Sequence, residues 1–272
     1  MTCANEELVQ MAKTIRRDIM EMAFKAGGAT HPGPALSSAD IVTALYFKVM
    51  NVRPDEPGWA DRDRLILSKG HASPVIYASL AEKGYFDKDL IYTLRFPGSI
   101  LQGHPDMKKT PGVDMTTGSL GHGLSAGLGM ALALKLRKSA ARVYVILGDG
   151  ELDEGIVWEA AMSASNFGAD NLTAIVDYNH FQSGGCTDEI QCLEPLVDKW
   201  KAFGWRVFEA NGHDMYDIVN KLEMAKMSIC TPTVIIAHTT KGKGVSYMEN
   251  NDDWHQRMPT EAEYLQALKE LE

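Results

Sequence analysis

Residues 141–179 read ARVYVILGDGELDEGIVWEAAMSASNFGADNLTAIVDYN. The run from Val143 to Leu147 is apolar and rich in β-branched side chains, the mark of a buried strand, and Gly148-Asp149-Gly150 ends it as a turn. A helical stretch from Ile156 to Phe167 follows, and Leu172 to Asn179 reads as a second strand. Strand, helix and strand make one βαβ unit, so the two strands run parallel and their carboxyl ends share a sheet edge. Asp149 and Asn179, 30 positions apart (179 − 149), therefore arrive at that edge together.

The same alternation extends over the whole chain. Strands are expected at 64–69, 205–210 and 233–238, and helices at 6–26, 41–50, 73–83, 193–203, 214–226 and 260–271. Residues 29–36, ATHPGPAL, read as a loop, with a serine of the Ser37-Ser38 pair capping the helix after it. With no linker, repeat or low-complexity segment, residues 1–272 form a single α/β domain: a mostly parallel sheet with helices on both faces. Ligands of such sheets bind at the carboxyl ends of strands, so the turns after Lys69, Leu147, Val176 and Ile236 should converge.

Composition narrows the possible functions. Lys and Arg total 27 against 36 Asp and Glu, a net charge of −9, and the cations are scattered, which argues against nucleic acid and anionic membranes as partners. No segment approaches the roughly 20 apolar residues of a spanning helix. The start, MTCANEELVQ, is polar and acidic, unlike a signal or transit peptide. Cys3, Cys186, Cys192 and Cys230 match no zinc spacing and make no dense disulfide framework, so a reduced cytoplasmic protein is expected.

Gly-His dipeptides are in excess. Twenty-four Gly and 8 His in 272 positions predict about 0.7 by chance, yet Gly70-His71, Gly103-His104, Gly121-His122 and Gly212-His213 all occur. Glycine admits a ligand close to the backbone, and imidazole titrates near neutrality. At the sheet edge, the oxygens of Asp149 and Asn179 suit Mg²⁺ completed by phosphate oxygens, although a turn without metal reads the same locally. The segment G-D-G-E-L-D-E-G, 148–155, is neither a Rossmann nor a P-loop fingerprint.

Gly-Asp-Gly followed by Asn about thirty residues later resembles thiamine diphosphate enzymes, and the chain as a whole resembles the N-terminal, diphosphate-binding part of transketolase. Four further segments carry the likeness in order: THPGPALSSADIVTALY, LSKGHASPVIYASLAEKGY, LQGHPD and VDMTTGSLGHGLSAGLGMALA. The resemblance implies a thiamine diphosphate-binding fold in which Asp149, Asn179 and the Phe181 carbonyl ligate Mg²⁺, or Ca²⁺ or Mn²⁺ in its place. It implies that Gly148 and Gly150 lie against the diphosphate, that His71 bonds a phosphate oxygen, and that Gly118 and Leu120 run along the cofactor rings. His31 and His104 would face the sugar hydroxyls as catalytic groups, with His255 at the mouth. Glu154 would meet the partner's cofactor-activating glutamate across the subunit interface.

Single-chain transketolases continue into pyrimidine-binding and C-terminal domains. The resemblance thus implies a split enzyme, in which this subunit works with a partner chain carrying those domains, as an α₂β₂ assembly. The reaction implied is transfer of a two-carbon ketol unit from a ketose phosphate or sulfonate to an aldose. A 1-deoxyxylulose 5-phosphate synthase-like or 2-oxo acid dehydrogenase-like subunit, or a non-catalytic regulatory paralogue, are the alternatives. Thr30 and Gln256 stand where the family usually has Gly, both on the substrate side. His122 stands where Gln is frequent. His180, His213 and His238 read as satisfied polar residues, Met107, Met115 and Met130 as packing, and Asp252-Asp253 as a solvated loop.

Overall fold

The computed structural model describes residues 2–272, with side chains from residue 5 onward. Its strands are β1 (Arg64–Leu67), β2 (Val143–Gly148), β3 (Leu172–Tyr178), β4 (Phe181–Gln182), β5 (Gly185–Cys186), β6 (Arg206–Asn211) and β7 (Thr233–His238). The five longer ones form a parallel sheet in the order β1-β2-β3-β7-β6, and β4 and β5 pair as a small antiparallel hairpin. The helices are α1 (Thr2–Lys25), α2 (Pro32–Ser37), α3 (Ala39–Ala44), α4 (Ser73–Lys83), α5 (His122–Leu136), α6 (Gly155–Asn166), α7 (Thr187–Ile190), α8 (Leu196–Ala202), α9 (Met215–Lys226) and α10 (Glu261–Glu270). None of them is long and apolar enough to cross a membrane.

Strand side chains alternate between two cores. Leu65, Leu67, Tyr144, Ile146, Ile175 and Ile235 pack with α1, α3, α4 and α9, whereas Ile66, Val143, Val145, Leu147, Val176 and Ile236 pack with α5, α6 and α8. The sheet is thus apolar on both sides, which is why its strands read as unbroken hydrophobic runs. The chain leaves β1 toward the first face, through α4, but leaves β2 and β3 toward the second, through α6 and α8. After β7 it returns to the first face, where Val245, Met248 and Trp254 are buried. Neighbours β1 and β2, and neighbours β3 and β7, therefore send their continuations apart, opening clefts at their carboxyl ends.

Helix α5, the short α7 and the β4–β5 hairpin fall where no element was expected, and three further elements differ from expectation. Residues 32–37 are helical because Pro32 presets the first helical φ, and the Ser37 and Ser38 hydroxyls donate to Pro34 O and to Asp177 rather than capping α3. The helix expected through residue 50 ends at Ala44 and widens into a π-helical turn, Leu45–Val49. Helix α8 starts at Leu196 rather than 193, with Pro195 as its N-cap. The tail helix keeps its boundaries through a capping box between Thr260 and Glu263.

Candidate active site

The carboxyl ends of β1, β2 and β3 surround a cavity of about 310 Å³. Its walls include His31, His71, His104, His255, Gly118, Leu120, Gly148, Asp149, Gly150, Asn179 and Phe181, all named from the sequence. Pro34, Lys69, Glu151, Gln182 and Ser183, none of which was assigned a site role from the sequence, complete it. Glu154 alone of the named residues lies outside: it is exposed at the N-cap of α6 and makes no side-chain capping bond.

Under the cavity, Asp177 ties the converging turns together. Its carboxylate accepts from Lys69 Nζ, from Ser37 Oγ at 2.5 Å, from Thr239 Oγ1 and from Asn179 Nδ2 at 3.3 Å. Burial pushes the Asp177 carboxyl up, but the Lys69 charge and these donors outweigh it and hold it below the usual carboxylate range. The tether on Nδ2 also orients the Asn179 amide, whose Oδ1 accepts, among the described residues, only the Phe181 amide, at 3.1 Å.

Asp149 gathers the backbone of two strands. Oδ1 accepts from Gly150 N at 2.8 Å, and Oδ2 accepts from Asn179 N at 2.9 Å and His180 N at 2.6 Å. Burial, followed by the neighbouring Asp177, pushes its carboxyl up to about 7. Gly150 sits so close to the β4 hairpin that a Cβ there would lie 2.4 Å from Gln182 Cβ. Glu151 does similar work on the other wall, accepting from Ser68 Oγ, from Gly121 N at 2.7 Å and from Gly148 N at 3.0 Å. It fastens the Gly118–Gly121 loop to the end of β2.

Three imidazoles form a triangle over the opening. Ring centroids are 5.1 Å apart for His31 and His71, 5.5 Å for His31 and His255, and 5.3 Å for His71 and His255. Burial, then the like-charged neighbours, brings His31 and His255 down to about 4 and His71 well below its ordinary value. His104 is lowered by burial and by Arg95. All four are therefore neutral at pH 7 and available as proton acceptors. His255 Nδ1 is buried without a hydrogen-bond partner, a position where a bound hydroxyl would be satisfied. Arg95, held at φ 64°, packs over Gly103 and puts a guanidinium beside His31 and His104, a cation that sequence reasoning missed.

Asp252 is not a free solvated residue: it pairs with the buried Lys241 at 2.5 Å and accepts from Gly184 N at 3.2 Å. His238 is exposed against Glu209, and His180 packs against Tyr178 with the rings tilted by 41°. Met107 is 53 % exposed rather than packed.

Known proteins match this chain in sequence and in fold. The family described as transketolase, thiamine diphosphate binding domain, matches residues 6–271. The chain is 47% identical to the 6-deoxy-6-sulfo-D-fructose transketolase subunit SqwG of Clostridium sp. (strain MSTE9), covering 98% of this chain and 96% of that protein. It is 44% identical to an apulose-4-phosphate transketolase subunit of Phocaeicola vulgatus, over 98% of this chain and 94% of that one. The crystal structure of transketolase from Campylobacter jejuni superposes with a TM-score of 0.91 at 33% identity, over 97% of this chain and 43% of that chain. A family match over nearly every residue, on a fold that superposes on a transketolase, makes the chain a member of the transketolase family, in its thiamine diphosphate-binding domain.

Proposed function

We propose that this chain is the diphosphate-binding subunit of a two-chain transketolase, moving a two-carbon ketol unit from a ketose to an aldose. The observation that carries this reading is the cavity itself, which gathers Asp149, Asn179, Gly150 and the imidazoles of His31, His71, His104 and His255 at one sheet edge. The donors fit a hard divalent cation such as Mg²⁺, or Ca²⁺ or Mn²⁺: one carboxylate, one tethered amide and the Phe181 carbonyl. Among the described residues no group of three His, Cys, Asp or Glu side chains could hold a metal, so the remaining ligands would be diphosphate oxygens. A buried Asp149 pushed up to about 7 also fits, because a cation beside it favours the ionised form.

Bound thiamine diphosphate would supply a nucleophilic carbon and an electron sink for carbon–carbon cleavage. This chain's residues would do the rest of the work on its side. Gly150 would let the backbone approach the diphosphate, and His71 would donate to a phosphate oxygen. Gly118 and Leu120 would flank the rings. The neutral His31 and His104 take and return protons at sugar hydroxyls, while His255 closes the mouth.

The partner would supply the pyrimidine-binding and C-terminal domains, in a heterotetramer with two copies of each chain, and Glu154 would meet it at the interface. Relatives named as subunits are matched along nearly their whole length, whereas the chain spans 43% of the Campylobacter transketolase. The substrates would be sugar phosphates or modified ketoses such as the sulfonated and branched sugars those relatives are named for, with Arg95 placed to meet an anionic group. The free thiols of Cys186, Cys192 and Cys230 fit a reducing cytoplasm. The test is co-purification with the product of the adjacent reading frame, then a donor screen across phosphorylated and sulfonated ketoses. Glycolaldehyde transfer from one of them is expected; transfer from none, by a complex that binds cofactor, would overturn the reading.

A further inference from the structure

The fourth Gly-His pair, Gly212-His213, lies outside the cavity, and its surroundings are built in detail. A Cβ at Gly212 would stand 2.3 Å from Thr239 Cγ2 and 2.8 Å from the His238 oxygen, and Gly212 N donates to that oxygen at 2.8 Å. Glycine therefore presses the end of β6 onto the end of β7. That close approach delivers His213 beneath the turn 239–242. Its Nδ1 is 2.8 Å from Asp40 Oδ2, and its Nε2 is 2.8 Å from the amide nitrogen of Thr240. An amide can only donate, so Nε2 accepts and the proton resides on Nδ1, directed at Asp40. Asp40 is 6 % exposed and is also gripped by the two terminal guanidinium nitrogens of Arg16.

The turn it supports reaches two of the substrate-side histidines, His31 and His255. Thr239 bonds Asp177, Lys241 bonds Asp252, and Gly242 N donates to Gly33 O at 3.1 Å, two residues after His31. Asp252 opens the short helical turn that ends in Trp254, and His255 follows it. Asp149 is held separately, by the amides of Gly150, Asn179 and His180.

We propose that His213 is a positioning residue for the substrate side of this site: clamped by Asp40 and Arg16, it holds the Thr240 amide and thereby places Lys241, His31 and His255. The proposal rests on the transketolase reading for its kinetic consequence, but not for its geometry. Glutamine retains an acceptor at the ε position and loses the δ donor; asparagine does the reverse. The experiment uses the complex with its partner chain carrying His213→Asn or His213→Gln. It measures hydrogen exchange over 239–242, the Kd of Mg-thiamine diphosphate by calorimetry, and KM with hydroxypyruvate as the two-carbon donor.

The expected result is that His213→Asn speeds exchange over 239–242 about tenfold and raises KM about tenfold, while the cofactor Kd stays within about twofold. His213→Gln should restore exchange and KM to within about threefold of the parent. Equal behaviour of the two variants, or preserved exchange in His213→Asn with loss in His213→Gln, would overturn the proposal. If neither variant folds, ¹⁵N NMR of the parent decides: a protonated Nδ1 with an accepting Nε2 supports it, and the other tautomer overturns it. An unmodified complex that binds cofactor but shows no turnover would instead count against the transketolase reading, leaving the exchange and tautomer results to judge His213.

Discussion

Lys69 and Asp177 form an ion pair beneath the cavity, with the two residues 1 % and 0 % exposed. Lys69 also donates to Pro34 O at 2.8 Å, so one ammonium joins the end of β1, the end of β3 and the first turn of α2. Removing one member of such a pair leaves an uncompensated buried charge. Lys69→Met is expected to destabilise the chain by about 3–5 kcal/mol in urea unfolding at pH 7. The double variant with Asp177→Asn should recover part of that loss, because the remaining side chains no longer strand a charge. A loss below about 1 kcal/mol for the single variant, of the order of an exposed pair, would contradict the buried pairing.

The imidazoles set a pH dependence whose sign can be worked out. His31 and His255 have folded values of about 4 against 6.5 for the free side chain, so the unfolded chain binds more protons between those limits. Their contribution is greatest above pH 6.5 and is lost as pH falls toward 4, at about 1.4 kcal/mol per pH unit for each. Asp149 and Asp18, raised to about 7, oppose this over the same window. The difference between parent and a His31→Gln, His255→Gln variant isolates the histidines. That difference should move against the parent as pH is lowered from 6.5 to 4; a difference independent of pH would contradict the depressed values.

Gly150→Ala places a Cβ 2.4 Å from Gln182 Cβ, in space the hairpin already occupies. The hairpin must shift, and overpacking of this kind costs about 1–3 kcal/mol. Thermal unfolding should register that loss, and calorimetry on the partnered complex should show weaker thiamine diphosphate binding. Full affinity in this variant would place the diphosphate elsewhere.

Glu154 is exposed and makes no capping bond, so Glu154→Gln should leave the stability of this chain within about 0.5 kcal/mol. Turnover by the assembled complex should nevertheless fall by an order of magnitude or more, if the side chain meets the partner's glutamate. Unchanged kcat in the complex would remove Glu154 from the interface role.

Much of the site was legible because its residues carry motifs. Gly148-Asp149-Gly150, the Asn179 step and the histidines after glycine each announce a ligand-facing turn at a strand end. The supporting carboxylates were harder to read. Glu151 acts on Ser68 and Gly121, 83 and 30 positions away, and no local spacing encodes those contacts. Asp177 did leave a signal, a charge closing the mostly apolar run Leu172–Val176, since a carboxylate buried there demands partners. Asp252 looked like solvated surface because its partner, Lys241, is a lysine that folding buries to 1 % exposure. The second helix escaped prediction because Pro and Gly read as loop, whereas proline in a first turn favours helix.

If this chain carries the metal and diphosphate half of a shared active site, cofactor affinity must depend on Asp149. The decisive experiment is a calorimetric titration of thiamine diphosphate, in excess Mg²⁺, into the complex with its partner chain, for the parent and for Asp149→Ala. Saturable binding is expected for the parent, with one cofactor for each copy of this chain, and no detectable heat of binding for the variant. Undiminished binding by Asp149→Ala would show that the cofactor is held elsewhere and that the sheet-edge cavity is not its site.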